Sequence, residues 1–195
     1  MADQLKEMFN RAYFDRLAKE VGIAAPKVKR TALVKDLLEG NGTRELNARI
    51  RHASITLRKH LPDDFRKSVN ALKEVAERLP RGYTALLYPD FVGQFGHDDP
   101  AFSLDALKYF TSFGSSEFAV REFFRRDATG TLKEMRTWAE DESEHVRRLA
   151  SEGSRPRLPW SFRLDAVLKD PELTTPILER LRADDSLYVR KSVAN

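Results

Sequence analysis

The strongest constraint on this chain is a motif that occurs twice. Asp141-Glu142-Ser143-Glu144-His145-Val146-Arg147-Arg148 returns 43 residues later as Asp184-Asp185-Ser186-Leu187-Tyr188-Val189-Arg190-Lys191. The same offset pairs Met135 with Leu178 and Trp138 with Leu181 in the preceding segments. An acidic turn, a serine placed to cap a helix, and then Val-Arg is what a stacked helical hairpin needs. Acids suit a helix N-terminus, whose unpaired amides carry partial positive charge. The valine packs inward, and the arginine pairs with an acid or faces a groove. Glu117-Phe118-Ala119-Val120-Arg121 is a looser echo, out of phase with the period.

A period near 43 lies in the range of HEAT repeats. The expected fold is therefore all-α, a right-handed α-solenoid of HEAT-like helical hairpins with a concave surface. Leu46, Ile50, Ala53 and Leu57 recur at helical spacing, as do Phe65, Val69, Leu72, Val75 and Leu79. No segment alternates as a strand would. Turn signals fall at Gly40-Asn41-Gly42, Pro80-Arg81-Gly82, Asp98-Asp99-Pro100, Gly114-Ser115-Ser116, Gly153, Asp170-Pro171 and Asp184-Asp185-Ser186. They cut the chain into about ten to thirteen short helices. One domain is expected over residues 1–195. Residues 1–100 form a divergent helical part, and residues 101–195 carry the repeats. Ser186 to Asn195 opens a helix without a glycine or proline terminator, so the native sequence is expected to continue.

Composition narrows the function classes. The 34 basic residues face 30 acidic ones, a net charge of +4 that permits a polyanionic partner without requiring one. No cysteine is present, which removes disulfides, thiolate metal sites and cysteine nucleophiles. The opening MADQLKEMFNRAYF lacks the apolar centre of a signal peptide. No run approaches the ~20 apolar residues that span a bilayer. A cytoplasmic protein, monomeric and away from membranes, is expected. Phosphate-loop, dinucleotide, zinc-protease and nucleophile-elbow signatures are missing. His52, His60, His97 and His145 lie far apart or in turns, and His97-Asp98-Asp99 reads as a solvated turn. No metal or cofactor is expected.

The chemistry concentrates between Ser143 and Arg163, which hold five arginines (147, 148, 155, 157 and 163) against two glutamates (144 and 152). Gly153 is read as the helix breaker. Ser154 to Pro159 then form a loop that Pro156 and Pro159 stiffen, lowering the entropic cost of presenting its side chains. Guanidinium groups grip phosphate in a forked geometry, and Trp160 at the loop end offers a face for a base or sugar. Glu117, beside Phe118 at a helix start, and Glu152 are the nearby carboxylates. Either can stabilise positive charge developing on a sugar and orient water. Of Phe110, Phe113, Phe118, Phe123 and Phe124, only Phe118 is a candidate for the groove; the others read as core. The competing reading is a non-catalytic scaffold that binds nucleic acid or protein. There, Arg147 and Arg190 bridge neighbouring repeats and Trp160 is buried.

VRRLASEGSRPRLPW at 146–160, with the later DDS-x-x-VRKSVAN, resembles the HEAT-like-repeat DNA alkylation-repair glycosylases, most closely their AlkC branch. The likeness runs from Glu117 to Asn195 and more loosely through the N-terminal helices. It implies excision of cationic alkylated bases from double-stranded DNA, 3-methyladenine and in this branch 3-methylcytosine, as a step of base excision repair. It further implies a bent duplex on the concave surface, no deep base-flipping pocket, no cofactor, and a nucleoid-associated enzyme when bound. Carried over, Trp160 matches the active-site tryptophan. Arg148 and Arg155 match arginines on the lesion strand, with Arg157 beside them, and Glu117 and Glu152 match the acidic side. The family pattern runs on through an asparagine-rich turn to a catalytic aspartate, and this sequence ends at Asn195 before it. Some relatives append an immunoglobulin-like domain, of which the sequence carries no sign.

Overall fold

The computed structural model describes residues 2–195. In chain order the helices are α1 (Ala2–Lys6), α2 (Arg11–Ala24), α3 (Arg30–Leu38), α4 (Leu46–His60), α5 (Phe65–Arg78), α6 (Leu87–Phe95), α7 (Pro100–Phe110), α8 (Glu117–Arg126), α9 (Ala128–Trp138), α10 (Glu144–Gly153), α11 (Asp165–Lys169), α12 (Thr175–Leu181) and α13 (Leu187–Ala194). Short 3-10 turns at Asn41–Thr43, Tyr83–Leu86 and Pro171–Leu173 link them, and no strand occurs among the described residues. The fold is the all-α helical-repeat array that the periodicity predicts.

Local chemistry explains the boundaries. The side chains of Asn10, Asp64 and Asp127 accept hydrogen bonds from the amides of Tyr13, Lys67 and Gly130, closing the first turns of α2, α5 and α9. Pro100 opens α7, where its missing N–H costs nothing. Gly40 takes the left-handed conformation (φ 60°) before the first 3-10 turn.

The buried faces merge into one hydrophobic cluster running from Phe9 to Val189. Phe110, Phe113, Phe123 and Phe124 lie within it, as their spacing predicts. Tyr88 stacks on Phe110 at 5.5 Å between ring centroids. No helix among the described residues is long and apolar enough to cross a membrane.

The repeat is real in three dimensions. α10 packs against α13 as well as against α8, α9 and α12, and Val146 and Val189 are both buried. The arginine after each valine ties down the turn before its own helix. Arg147 donates to the carbonyls of Asp141 and Glu142, and Arg190 to those of Asp184 and Asp185. Arg147 also forks onto Asp184, through Nε at 2.7 Å and Nη2 at 3.0 Å, and so pins one turn to the next.

Three details differ from expectation. Ser143 and Ser186 hold the N-cap positions, but neither hydroxyl caps. Asp141 and Asp184 close the preceding turns by accepting from the serine amides, since a carboxylate two residues earlier reaches that N–H. In α12 Ile177 and Leu181 are fully buried, while Leu178, the offset partner of Met135, is only half-buried. Gly153 is the last residue of α10 rather than its breaker. A Cβ there would meet Val120 Cγ1 at 2.6 Å and Met135 Cε at 3.1 Å, so the glycine lets α10 approach α8 and α9.

Candidate functional site

Where α8, α10 and the loop after α10 meet the turn before α6 and the first turn of α13, they enclose a groove of about 630 Å3. Glu117, Phe118, Arg148, Glu152, Arg155 and Trp160 all line it. These are the site residues singled out in the sequence, except Arg157. That residue is exposed on the outer side of the loop, with no ion pair or hydrogen bond among the described residues.

The charged residues form an alternating row. Arg148 Nη1 donates to Glu117 Oε2 and, at 3.0 Å, to Ser115 Oγ. Its Nη2 lies 3.6 Å from Glu152 Oε2. Arg155 Nη1 donates to Glu152 Oε1 at 2.7 Å, and its Nη2 to the Asn195 backbone oxygen at 3.0 Å. Ser192 Oγ donates to Glu152 Oε2 at 2.6 Å. The result is Glu117, Arg148, Glu152, Arg155, four unit charges of alternating sign that sum to zero.

Within that row the two carboxylates differ. Both Glu152 oxygens are engaged, and its side chain is only 6% exposed. Among the described residues the side-chain hydrogen bonds to Glu117 all land on Oε2, from Arg148 and Ser115, and none reaches Oε1. Arg148 is itself held: its side chain is 17% exposed and its guanidinium carbon sits 5.5 Å over the Tyr188 ring.

Trp160 is the outlier. It is 65% exposed, and it is the one non-glycine residue at positive φ (64°) among the described residues. A left-handed L-residue costs roughly 1–2 kcal/mol, and burial does not recover that cost here. The core reading of Trp160 is therefore corrected: the loop spends backbone strain to hold an indole in water beside the groove. Trp160→Gly is expected to change the unfolding free energy by less than about 1 kcal/mol. The strain it relieves is offset by glycine's backbone freedom in the unfolded chain. Urea titration measures this, and a loss above about 2 kcal/mol would mean that the indole packs as core.

Sequence reasoning missed several groove residues. Tyr83 enters from the 3-10 turn before α6; its phenol is pushed up by burial and then by the charge of Glu117, and its hydroxyl has no partner among the described residues. Tyr188 and Ser192 come from α13, Ser115 from the turn before α8, and Arg81 flanks the rim. Tyr188 lies inside the repeated motif, so the repeat did carry a signal. The others are brought in by tertiary packing alone. A smaller cavity of about 280 Å3 shares Leu86, Ser115, Phe118 and Trp160 with the groove. Among the described residues no three His, Asp or Glu side chains are grouped to hold a metal ion.

Fold and groove together define a class: a helical-repeat protein with arginines, carboxylates and one exposed tryptophan on a shared face. The chain is similar to AlkC. The structure of Pseudomonas fluorescens alkylpurine DNA glycosylase AlkC, bound to DNA containing an abasic site analog, matches with a TM-score of 0.94 and 46% identity over 98% of this chain. The Bacillus subtilis (strain 168) protein YhaZ, described as uncharacterized, is 40% identical over 196 residues that include all of this chain. The chain spans 54% of the length of each of these proteins. No family model matches. The resemblance to the AlkC branch drawn from residues 146–160 thus holds in sequence and in fold.

Proposed function

We propose that this chain forms the DNA-binding and catalytic helical-repeat part of a glycosylase that removes cationic alkylated bases, 3-methyladenine and 3-methylcytosine, from double-stranded DNA. The observation that carries this reading is Trp160, held in solvent at a strained φ and sharing one groove with Glu117, Arg148, Glu152 and Arg155. A scaffold has no use for that arrangement. The similarity to AlkC supports it.

In this reading the alkylated base already carries positive charge, so it leaves readily. The N-glycosidic bond breaks, its electron pair neutralises the base, and positive charge appears on the sugar. Glu117 Oε1 faces that charge and stabilises it, and the same carboxylate orients the water that adds at the sugar carbon and accepts its proton. Trp160 and Phe118 present aromatic faces to sugar or base. Arg155, and Arg157 on the outer loop, engage phosphates, while Arg148 holds Glu117 in place. Residues 1–195 act as one domain, and the protein works as a monomer in the cytoplasm, on the nucleoid.

The test is release of free base. Duplex DNA containing 3-methyladenine is incubated with the full-length protein, and the supernatant is assayed for the base. Free 3-methyladenine is the expected result, with binding that weakens by a log-log slope of ~0.9 per phosphate contacted as salt rises. Salt-dependent binding without any released base would sink the enzymatic reading in favour of a scaffold.

A further inference from the structure

The largest fully buried side chain in the protein is a cation. Arg121, on α8, is 0% exposed, and among the described residues no carboxylate forms an ion pair with it. Burying a guanidinium without an acid is costly unless fixed dipoles replace its water. Here they are carbonyls. Nη1 donates to Gly153 O at 3.3 Å and to Arg155 O at 2.6 Å, and Nη2 donates to Phe162 O. Nε has no partner. The guanidinium carbon lies 5.6 Å from the Phe162 ring centroid, and Arg125 approaches the same ring at 4.7 Å.

The three carbonyls are not scattered. Two belong to the end of α10 and the start of the loop, and the third follows Trp160 by two residues. The loop's other backbone hydrogen bonds are local: Arg155 N to Glu152 O at 3.4 Å, Ser161 N to Leu158 O at 3.1 Å and Leu164 N to Pro156 O at 3.0 Å. One planar group therefore fixes both stems of the loop that carries Arg155 and Trp160. Its five N–H donors lie in a fixed plane, so the separation of the stems follows from the shape of the guanidinium. Val120, the residue before it, is the side chain that Gly153 was cut back to admit. Burial, then the charge of Arg155, lowers Arg121 to about 10, with Glu117 opposing, which still leaves it charged at neutral pH.

We propose that Arg121 is the positioning residue of the groove: its buried guanidinium sets the 153–162 loop and thereby holds Trp160 at the angle from which it meets DNA. This rests on the glycosylase reading for the ligand, though not for the geometry. Arg121 touches no substrate and acts only through the loop. Displacing a contact group by about 1 Å costs on the order of 100-fold in rate, and the other long-range tether, Arg155 Nη2 to the Asn195 backbone oxygen, holds only one stem of the loop.

Arg121→Lys and Arg121→Met test it through two independent readouts. The first is acrylamide quenching of tryptophan fluorescence. Trp138 is buried and Trp160 exposed, so quenching reports Trp160. Adding a duplex with an abasic-site analogue is expected to shield Trp160 in the parent chain, to shield it weakly in Arg121→Lys, and not to shield it in Arg121→Met. The second is single-turnover base release at saturating protein, expected to fall about tenfold or more in Arg121→Lys while DNA affinity changes less than about threefold. In a Trp160→Ala background the same Arg121→Lys change is expected to cost less than about twofold, because residues acting as one unit are not additive.

Arg121→Lys that remains folded with unaltered shielding and release would overturn the proposal. So would an equal loss of release with and without Trp160, which would make Arg121 a general stability residue. If Arg121→Met does not fold, the lysine variant decides. If the parent chain releases no base, the glycosylase reading falls while the quenching arm still judges the loop.

Discussion

Glu117→Gln is expected to slow base release about 100-fold or more while duplex binding is kept or strengthened. The substitution preserves shape and keeps an oxygen for Arg148 and Ser115, but it removes the negative charge beside the groove. A phosphate backbone meets less repulsion, whereas a sugar acquiring positive charge loses its counter-charge. Glu152→Gln is expected to behave differently. Its two oxygens hold Arg155, Ser192 and, at longer range, Arg148, so binding and release should decline together as the arginines lose their anchor. Measuring affinity by fluorescence anisotropy and release in single turnover separates the two. Equal behaviour of the two variants would mean that neither carboxylate faces the reaction alone.

Asp184→Ala is expected to cost about 3 kcal/mol of stability, near the lower end for breaking a buried ion pair, since Arg147 keeps some water. Asp184 receives both arms of the Arg147 fork and the Ser186 amide. Its loss leaves Arg147 half-paired and unties α10 from the turn before α13. The Arg147 hydrogen bond, against the opposing effect of burial, holds the Asp184 carboxyl below its ordinary value. Asp141 is also depressed: burial raises it, but the Lys108 hydrogen bond, the Ser143 amide and Arg147 together outweigh burial. A depressed carboxyl stabilises the fold above its unfolded pKa, about 3.9, and loses that contribution as pH falls through the folded value. The acid limb of the stability curve should therefore lie below about pH 4 for these two groups. Asp184→Asn should be less stable at pH 7 and should lose less on acidification than the parent. Urea titrations at pH 7 and pH 3 measure both quantities, and parallel losses would mean that Asp184 contributes nothing through its charge.

What could be read from the sequence was what is local. Val146 and Val189, Arg147 and Arg190, Asp141 and Asp184 play matching parts because their hydrogen bonds close within a few residues, and short-range geometry repeats when the motif repeats. The groove was legible where the arginines, the carboxylates and Trp160 sit close together in the chain. Arg121 was not legible as a buried clamp, since its acceptors lie 32 to 41 residues away. Ser143 and Ser186 hold their helix starts through backbone carbonyls rather than hydroxyls, while the aspartates two residues earlier fix the serine amides. Trp160 gave no sign of a left-handed backbone, because only the surrounding loop imposes it. Ile177 rather than Leu178 takes the place of Met135, while Leu181 keeps that of Trp138, because one helical face accepts a spacing of four residues as well as three.

The charge row on the groove floor divides the labour of the protein in time. Glu117, Arg148, Glu152 and Arg155 cancel, so the floor exerts little pull on a distant polyanion. In the glycosylase reading, attraction at range falls to exposed arginines with no ion pair among the described residues, such as Arg157 and Arg163. Capture is thus a long-range event open to screening by dissolved ions. What happens once the duplex is seated depends on contacts too short for ions to enter. Raising the salt should lengthen the search and leave the committed step at its own pace.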